Sequence, residues 1–217
     1  MKKFILFIIT LTMIASYTQA FAFKVDVVTE RDIMMPSEWA ESEIVKADEY
    51  GILPNDVTDF YHEYIDRAEF AGLIVTCIEK LTGKIDLDAM ELTDDMFFND
   101  DESEDVLKAA AIGVVKGVGN GNFAPENKIT RQEIAVMMYR AIRYVEKCKG
   151  KTFITNNTDI SSFTDSAKVA TWASEAVGNL CNNGIMKGTS DTTLSPLSNT
   201  TKEQAILLDV RIFELMK

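Results

Sequence analysis

Three cations stand one residue inside the starts of three expected helices. They are Arg67 in Asp66-Arg67-Ala68-Glu69, Arg131 in Thr130-Arg131-Gln132-Glu133 and Lys202 in Thr201-Lys202-Glu203-Gln204. The flanking positions have a local explanation: an Asp or Thr N-cap with Glu or Gln three residues later forms a capping box that satisfies free backbone donors. The cations do not. A positive side chain at the first helical position opposes the positive end of the macrodipole, at a cost of roughly 0.3–1 kcal/mol. A cation beside exposed helix N–H groups is an arrangement suited to an anion, so these three positions are expected to receive one.

A second unit precedes each cation: Tyr50-Gly51-Ile52-Leu53, Ile112-Gly113-Val114-Val115-Lys116-Gly117 and Asn183-Gly184-Ile185-Met186-Lys187-Gly188. Its glycines are separated by 62 and 71 residues, and the cations by 64 and 71, so two independent markers define one internal repeat. Each unit reads helix, loop, helix. Trp39, Ala40, Ile44 and Ala47 share one face of a helix over Ser37 to Tyr50, and Trp172, Ala173, Val177 and Leu180 match them. The second helices, Phe70 to Leu81, Ile134 to Val145 and Ala205 to Leu215, are apolar around most of their circumference and are expected at the centre of a shared bundle. Linkers fall at Lys84 to Asp95 and Lys149 to Ser161.

The bulk properties narrow the function. Met1-Lys2-Lys3, the apolar run from Phe4 to Ile14 and Ala20-Phe21-Ala22 read as a secretory signal peptide over residues 1–22, too short for a membrane span. No cysteine follows that run, which argues against a lipid anchor, and no apolar span occurs near the C-terminus. The formal net charge of −12 becomes −14 once Lys2 and Lys3 are removed. An acidic surface of this kind argues against nucleic acid and anionic membranes as partners. Cys77, Cys148 and Cys181 lack metal-ligand spacing, and an odd count leaves at least one thiol free. His62 has no partner at ligand spacing and reads as solvated. The acidic run Asp94 to Glu102 lacks the alternating ligands of a calcium loop, and Gly117 to Gly121 lacks the lysine of a nucleotide loop. No metal or cofactor is expected.

Taken together, the Trp-Ala helix start, the Gly-Ile/Val-x-x-Gly loop, Phe123-Ala124-Pro125 and the Thr-Arg-x-Glu helix start resemble the S-layer homology (SLH) domain. The resemblance covers three consecutive copies, at 35–86, 96–150 and 160–217. It implies an all-α, pseudo-threefold spindle that binds secondary cell-wall polysaccharide, often through a pyruvylated terminal sugar, in grooves between repeats. By position it implies that Arg131, Arg67 and Lys202 face the anionic group. Gly117 and Gly188 would let backbone approach a sugar, and Asp100 and Asp165 would accept hydrogen bonds from sugar hydroxyls. Trp39 and Trp172 would stack on a sugar, although as the first residues of an apolar stripe they read as core.

The departures from that pattern limit the number of working grooves to one or two. Repeat one runs from Gly51 to Asp66 in 15 residues where the others take 17, and has Pro54-Asn55 in place of the second loop glycine. Repeat two has Asp101 at the register of the tryptophan, and repeat three substitutes Lys202 and Gln204. The expected function is noncovalent anchoring at the bacterial cell surface after export, without catalysis. The alternatives are a protein–protein interaction module with degenerate grooves and a surface-protein partner, or a wall-glycan hydrolase using some of the many carboxylates.

Overall fold

The structure, a computed structural model, describes residues 34–54 and 57–217. The signal-peptide reading and its cleavage site lie outside those residues. Six α-helices are present among them: α1 (Glu38–Tyr50), α2 (Arg67–Thr82), α3 (Glu104–Ala111), α4 (Arg131–Lys149), α5 (Ser174–Asn182) and α6 (Lys202–Met216). The fold is all-α, as its periodicity indicates, with only isolated β-bridges between loops among the described residues.

Each repeat contributes one short outer helix and one long inner helix. The start signals operate as read. In α2 the Asp66 carboxylate accepts from Glu69 N at 2.9 Å and Glu69 Oε2 accepts from Asp66 N at 2.9 Å. Thr130 N donates to Glu133 Oε2 at 2.9 Å, and Thr201 and Gln204 form the same reciprocal pair at 3.4 Å. Gly51, at φ 64°, ends α1 in the left-handed conformation that a side chain resists.

The inner helices α2, α4 and α6 pack on one another, while each outer helix packs on the inner helix of the preceding repeat: α3 on α2, α5 on α4, and α1 on α6. The last pairing closes the chain into a ring. Phe70, Leu73, Ile74, Ile78, Ile134, Met138, Ile142, Ile206 and Ile212 fill the centre at full or nearly full burial.

At one end of the bundle the residues preceding the three N-caps form a closed circuit of backbone hydrogen bonds. Ile65 N donates to Thr200 O at 3.0 Å, Thr200 N to Ile129 O at 3.2 Å, and Ile129 N to Ile65 O at 3.2 Å. All three residues are fully buried. Two positions are isoleucine. At the third, the Thr200 hydroxyl has no hydrogen-bond partner. An unsatisfied buried hydroxyl costs roughly 1–3 kcal/mol. Thr200→Val keeps the shape and removes the hydroxyl, so it is expected to raise the thermal unfolding midpoint; a lowered midpoint would contradict this account.

A second polar group sits on the central axis. Asp209 in α6 is 1 % exposed, at the register occupied by Ile74 in α2 and Met138 in α4, and neither of its oxygens finds a full hydrogen bond. Its polar neighbour is the buried Cys77 thiol, a weak donor. Burial pushes the Asp209 carboxyl well above its ordinary range, and Cys77 likewise. Because the folded state holds this proton more tightly than the unfolded chain, stability falls as pH rises from about 4 toward the folded pKa. Asp209→Met, copying Met138, is expected to raise stability at neutral pH and to flatten that slope. Chemical denaturation of both proteins across pH 4 to 8 provides the check.

Candidate functional site

The helix N-termini are occupied by the protein itself. In α2, Arg67 N donates to Asn127 O at 3.1 Å and Ala68 N to Pro125 O at 3.1 Å. In α4 the partners are Ser198 O and Pro196 O, both at 3.0 Å, and in α6 they are Glu63 O at 2.9 Å and Tyr61 O at 3.1 Å. Three loops thus each dock onto the first turn of the inner helix of the preceding repeat in the ring. The expectation that these amides receive an external anion is corrected: the loop carbonyls already neutralise the positive end of each dipole.

The cations share that arrangement. Arg67 donates through Nε to Phe123 O at 2.9 Å and through its second terminal nitrogen to Lys116 O at 3.2 Å. Arg131 repeats this with Leu194 O at 2.9 Å and Lys187 O at 2.7 Å. Both are buried, at 7 % and 8 % exposure, and burial draws both pKa values below the ordinary arginine value without removing the charge. Each guanidinium therefore pins the glycine loop of the following repeat to a helix start. Lys202, also buried, instead places Nζ 2.7 Å from Glu69 Oε1.

The same cations border open clefts. The first, about 390 Å³, is lined by Arg67, the loop Val115 to Val118, Glu133, Val136, Met137 and Arg140 of α4, and Trp172. The second, also about 390 Å³, is lined by Arg131, the loop Lys187 to Thr189, Gln204, Leu207, Leu208 and Arg211 of α6, and Trp39. The two correspond position for position. Each is assembled from three repeats: a helix start, the glycine loop and inner helix of the next repeat, and a tryptophan from the third.

The tryptophans are not core residues. Trp39 is 53 % exposed and Trp172 is 59 % exposed, whereas the adjacent Ala40 and Ala173 are fully buried. Their positions are held from a distance. Gln132 Oε1 accepts from Ala170 N at 3.0 Å, two residues before Trp172. Glu203 Oε2 accepts from Ser37 N at 2.9 Å, two residues before Trp39. Gln132 and Glu203 occupy the second position of α4 and α6. His62 is not wholly solvated, since its Nδ1 lies 3.6 Å from Glu203 Oε1.

Gly117 and Gly188 line the clefts, but for a reason other than sugar approach. A Cβ on Gly117 would meet Asn122 O at 2.7 Å, and one on Gly188 would clash with Ser190 O and meet Thr193 O at 2.6 Å. The space left by the missing side chain is filled by the loop folding on itself.

Asp100 and Asp165 line neither cleft. Asp100 accepts from Phe123 N at 2.7 Å and Ala124 N at 2.8 Å, and Asp165 from Leu194 N and Ser195 N, both at 2.8 Å. These amides hold both carboxyls below the usual range. They clamp Ala124 and Ser195, non-glycine residues at φ 60° and 52°, a conformation matched by Phe60 at 53°. Each of their oxygens accepts one loop amide, which gives both residues a structural role outside the two clefts.

Arg140 and Arg211 were not singled out from the sequence. Each follows its repeat's cation by nine residues, on the same helix, and each donates to a loop carbonyl: Arg140 to Val114 O at 3.3 Å and Arg211 to Ile185 O at 2.9 Å. That equal spacing is the signal. At the corresponding position in α2 stands Thr76.

The S-layer homology domain profile matches residues 99–135 and 162–206. The chain is 33% identical over 153 residues to an S-layer protein of Bacillus licheniformis, 70% of this chain and 16% of that one. It is 33% identical over 106 residues to a surface layer protein of Brevibacillus choshinensis, 49% of this chain and 9% of that one. A match at 31% over 102 residues to an endoglucanase of Bacillus sp. (strain KSM-635) covers 47% of this chain and 10% of the enzyme. The chain thus spans about a tenth of the length of these curated relatives. The chain carries the S-layer homology domain: the second and third repeats match it directly, and the first shares their helix starts, ring hydrogen bonds and loop docking. This places it with cell-surface, wall-associated proteins.

The guanidinium of Arg131 holds two loop carbonyls, and charged hydrogen bonds of this kind contribute roughly 1.5–3 kcal/mol each. Arg131→Ala is therefore expected to lower the unfolding midpoint clearly. A midpoint unchanged in calorimetry would show that the loop holds without it.

Proposed function

We propose that the mature protein binds an anionic secondary cell-wall polysaccharide noncovalently in the two tryptophan clefts, and that this holds it at the bacterial surface after export. The observation that carries this reading is the lining the clefts share: an exposed indole, two arginines and a backbone loop facing one space. An indole face suits the apolar face of a sugar ring, and guanidinium groups suit a carboxylate such as a pyruvate ketal. The loop carbonyls and amides suit hydroxyls.

The supporting residues are Arg131, Arg67, Arg211, Arg140, Trp39 and Trp172, with Gly117 and Gly188 shaping the loops. Lys202 is the weakest member of the expected set, since Glu69 already neutralises it. The three repeats at 35–86, 96–150 and 160–217 act as one unit in this reading, because each cleft draws on all three. The acidic groups serve as caps and clamps rather than as an acid and base pair, which supports a binding role without catalysis. No helix among the described residues is long and apolar enough to cross a membrane.

Sedimentation of the mature protein with purified wall sacculi is expected to be strong, and to disappear after chemical removal of secondary polymers. Trp39→Ala and Trp172→Ala, both at exposed positions, are expected each to weaken sedimentation without lowering helical circular dichroism. Binding that survives polymer removal would overturn the glycan reading and favour a protein partner.

A further inference from the structure

The two tryptophan clefts differ in charge at one position. In the first, Glu133 lines the cleft and its Oε1 lies 3.6 Å from the Arg67 guanidinium. In the second the corresponding residue is Gln204, and no carboxylate among the described residues lies within ion-pair distance of Arg131 or Arg211. The two arginines there raise each other's electrostatic cost, since Arg211 pulls the Arg131 pKa down further. Lys187 lies on the same lining. The second cleft thus gathers two arginines and a lysine with no carboxylate in its lining, Glu43 easing Arg211 only from outside it, on a protein of net charge −12.

We infer that the Trp39 cleft is the anion-selective site of the chain, and that the residue at the third position of the inner helix, Gln204 against Glu133, sets how strongly each cleft prefers a carboxylate-bearing glycan. The inference rests on the wall-glycan reading and adds which cleft acts and what tunes it. A desolvated guanidinium without a counter-charge gains most from an incoming carboxylate. Where Glu133 stands, an incoming carboxylate meets one already present, and like charges at close range oppose binding. Around Lys202 the pair with Glu69 occupies the cation, Thr76 replaces the second arginine, and Asp101 stands at the tryptophan register. Charge selectivity therefore ranks the three positions, with the Trp39 cleft first.

That cleft is also the one built across the chain's closure. Trp39 comes from the first repeat, Arg131 from the second, and Arg211 with the Lys187 loop from the third.

The test is a reciprocal exchange in the full mature chain. Gln204→Glu and Glu133→Gln both place at a capping position a residue already used there in another repeat, so the fold is retained; thermal unfolding confirms this. The probe is the secondary polymer released from sacculi, used intact and after its carboxyl groups are converted to amides. Titration calorimetry is expected to show Gln204→Glu weakening binding of the intact polymer about tenfold, the size of one screened charge interaction. Glu133→Gln is expected to tighten it, and amidation to weaken the wild type more than it weakens Gln204→Glu.

Equal affinities for wild type and Gln204→Glu, with binding lost on Trp172→Ala alone, would overturn the assignment of the cleft and leave the glycan reading standing. Undiminished binding of the amidated polymer would overturn charge selectivity. Absence of binding to the intact polymer by the wild type would overturn both.

Discussion

A triangle of three backbone hydrogen bonds, linking Ile65, Ile129 and Thr200, is the constraint on which the rest of this molecule depends. It fixes the residue before each N-cap, and so fixes where the three inner helices begin relative to one another. Once those starts are set, the first two amides of each inner helix face the loop of a neighbouring repeat and bond its carbonyls. The loop in turn places a glycine and two carbonyls against the cation of that helix start. Every cleft wall is therefore one or two hydrogen bonds away from the central triangle, and no repeat can form its own wall alone. This is the physical content of the repeat pattern: the helix faces are too apolar to stand singly, and the loops have no partners until the ring is closed.

The arginines follow from the same geometry. A buried cation normally has a carboxylate beside it, because an unpaired charge in a low-dielectric region is costly. Here Arg67 and Arg131 are held mainly by backbone carbonyls, which carry partial charge and leave the guanidinium net positive. The protein thus keeps a positive charge at the floor of a cleft while its overall surface is strongly acidic. The same side chain ties down a loop and supplies potential to the cleft, so its structural and electrostatic roles cannot be separated by deleting it. This is why the exposed indoles and the third helical position are better probes of the cleft than the buried arginines.

Much of this was legible in the sequence. The repeat period, the capping boxes, the apolar inner helices and the Trp-Ala helix starts are local signals, and each maps directly onto the observed elements. What was not legible depends on contacts between repeats. The helix-start amides look free when a helix is read alone, and only the neighbouring loop shows otherwise. Asp100 and Asp165 look like available acceptors until Ala124 and Ser195 are seen in the left-handed conformation, with amides aimed at those carboxylates. Trp39 sits at the edge of its apolar stripe and Trp172 in the turn before its helix, and a helical wheel distinguishes neither from the centre. Arg140 and Arg211 carried a usable signal in their equal offset from the repeat cations.

The polar residues on the axis, Thr200 and Asp209, show how the third repeat departs from symmetry without losing the fold. Each replaces a group that is apolar at the equivalent places in the other repeats, and each is buried without a full hydrogen bond. Both lie in the repeat that also carries Lys202 and Gln204 in place of the Arg and Glu of α4. The substitution at Gln204 changes a cleft lining, whereas those at Thr200 and Asp209 touch only the core, so the two kinds of divergence act on different properties. Stability is lowered from within while the charge of the clefts is redistributed at their rims. A closed ring tolerates this because the destabilising groups are shared among three packed helices, and no single cleft wall rests on them alone.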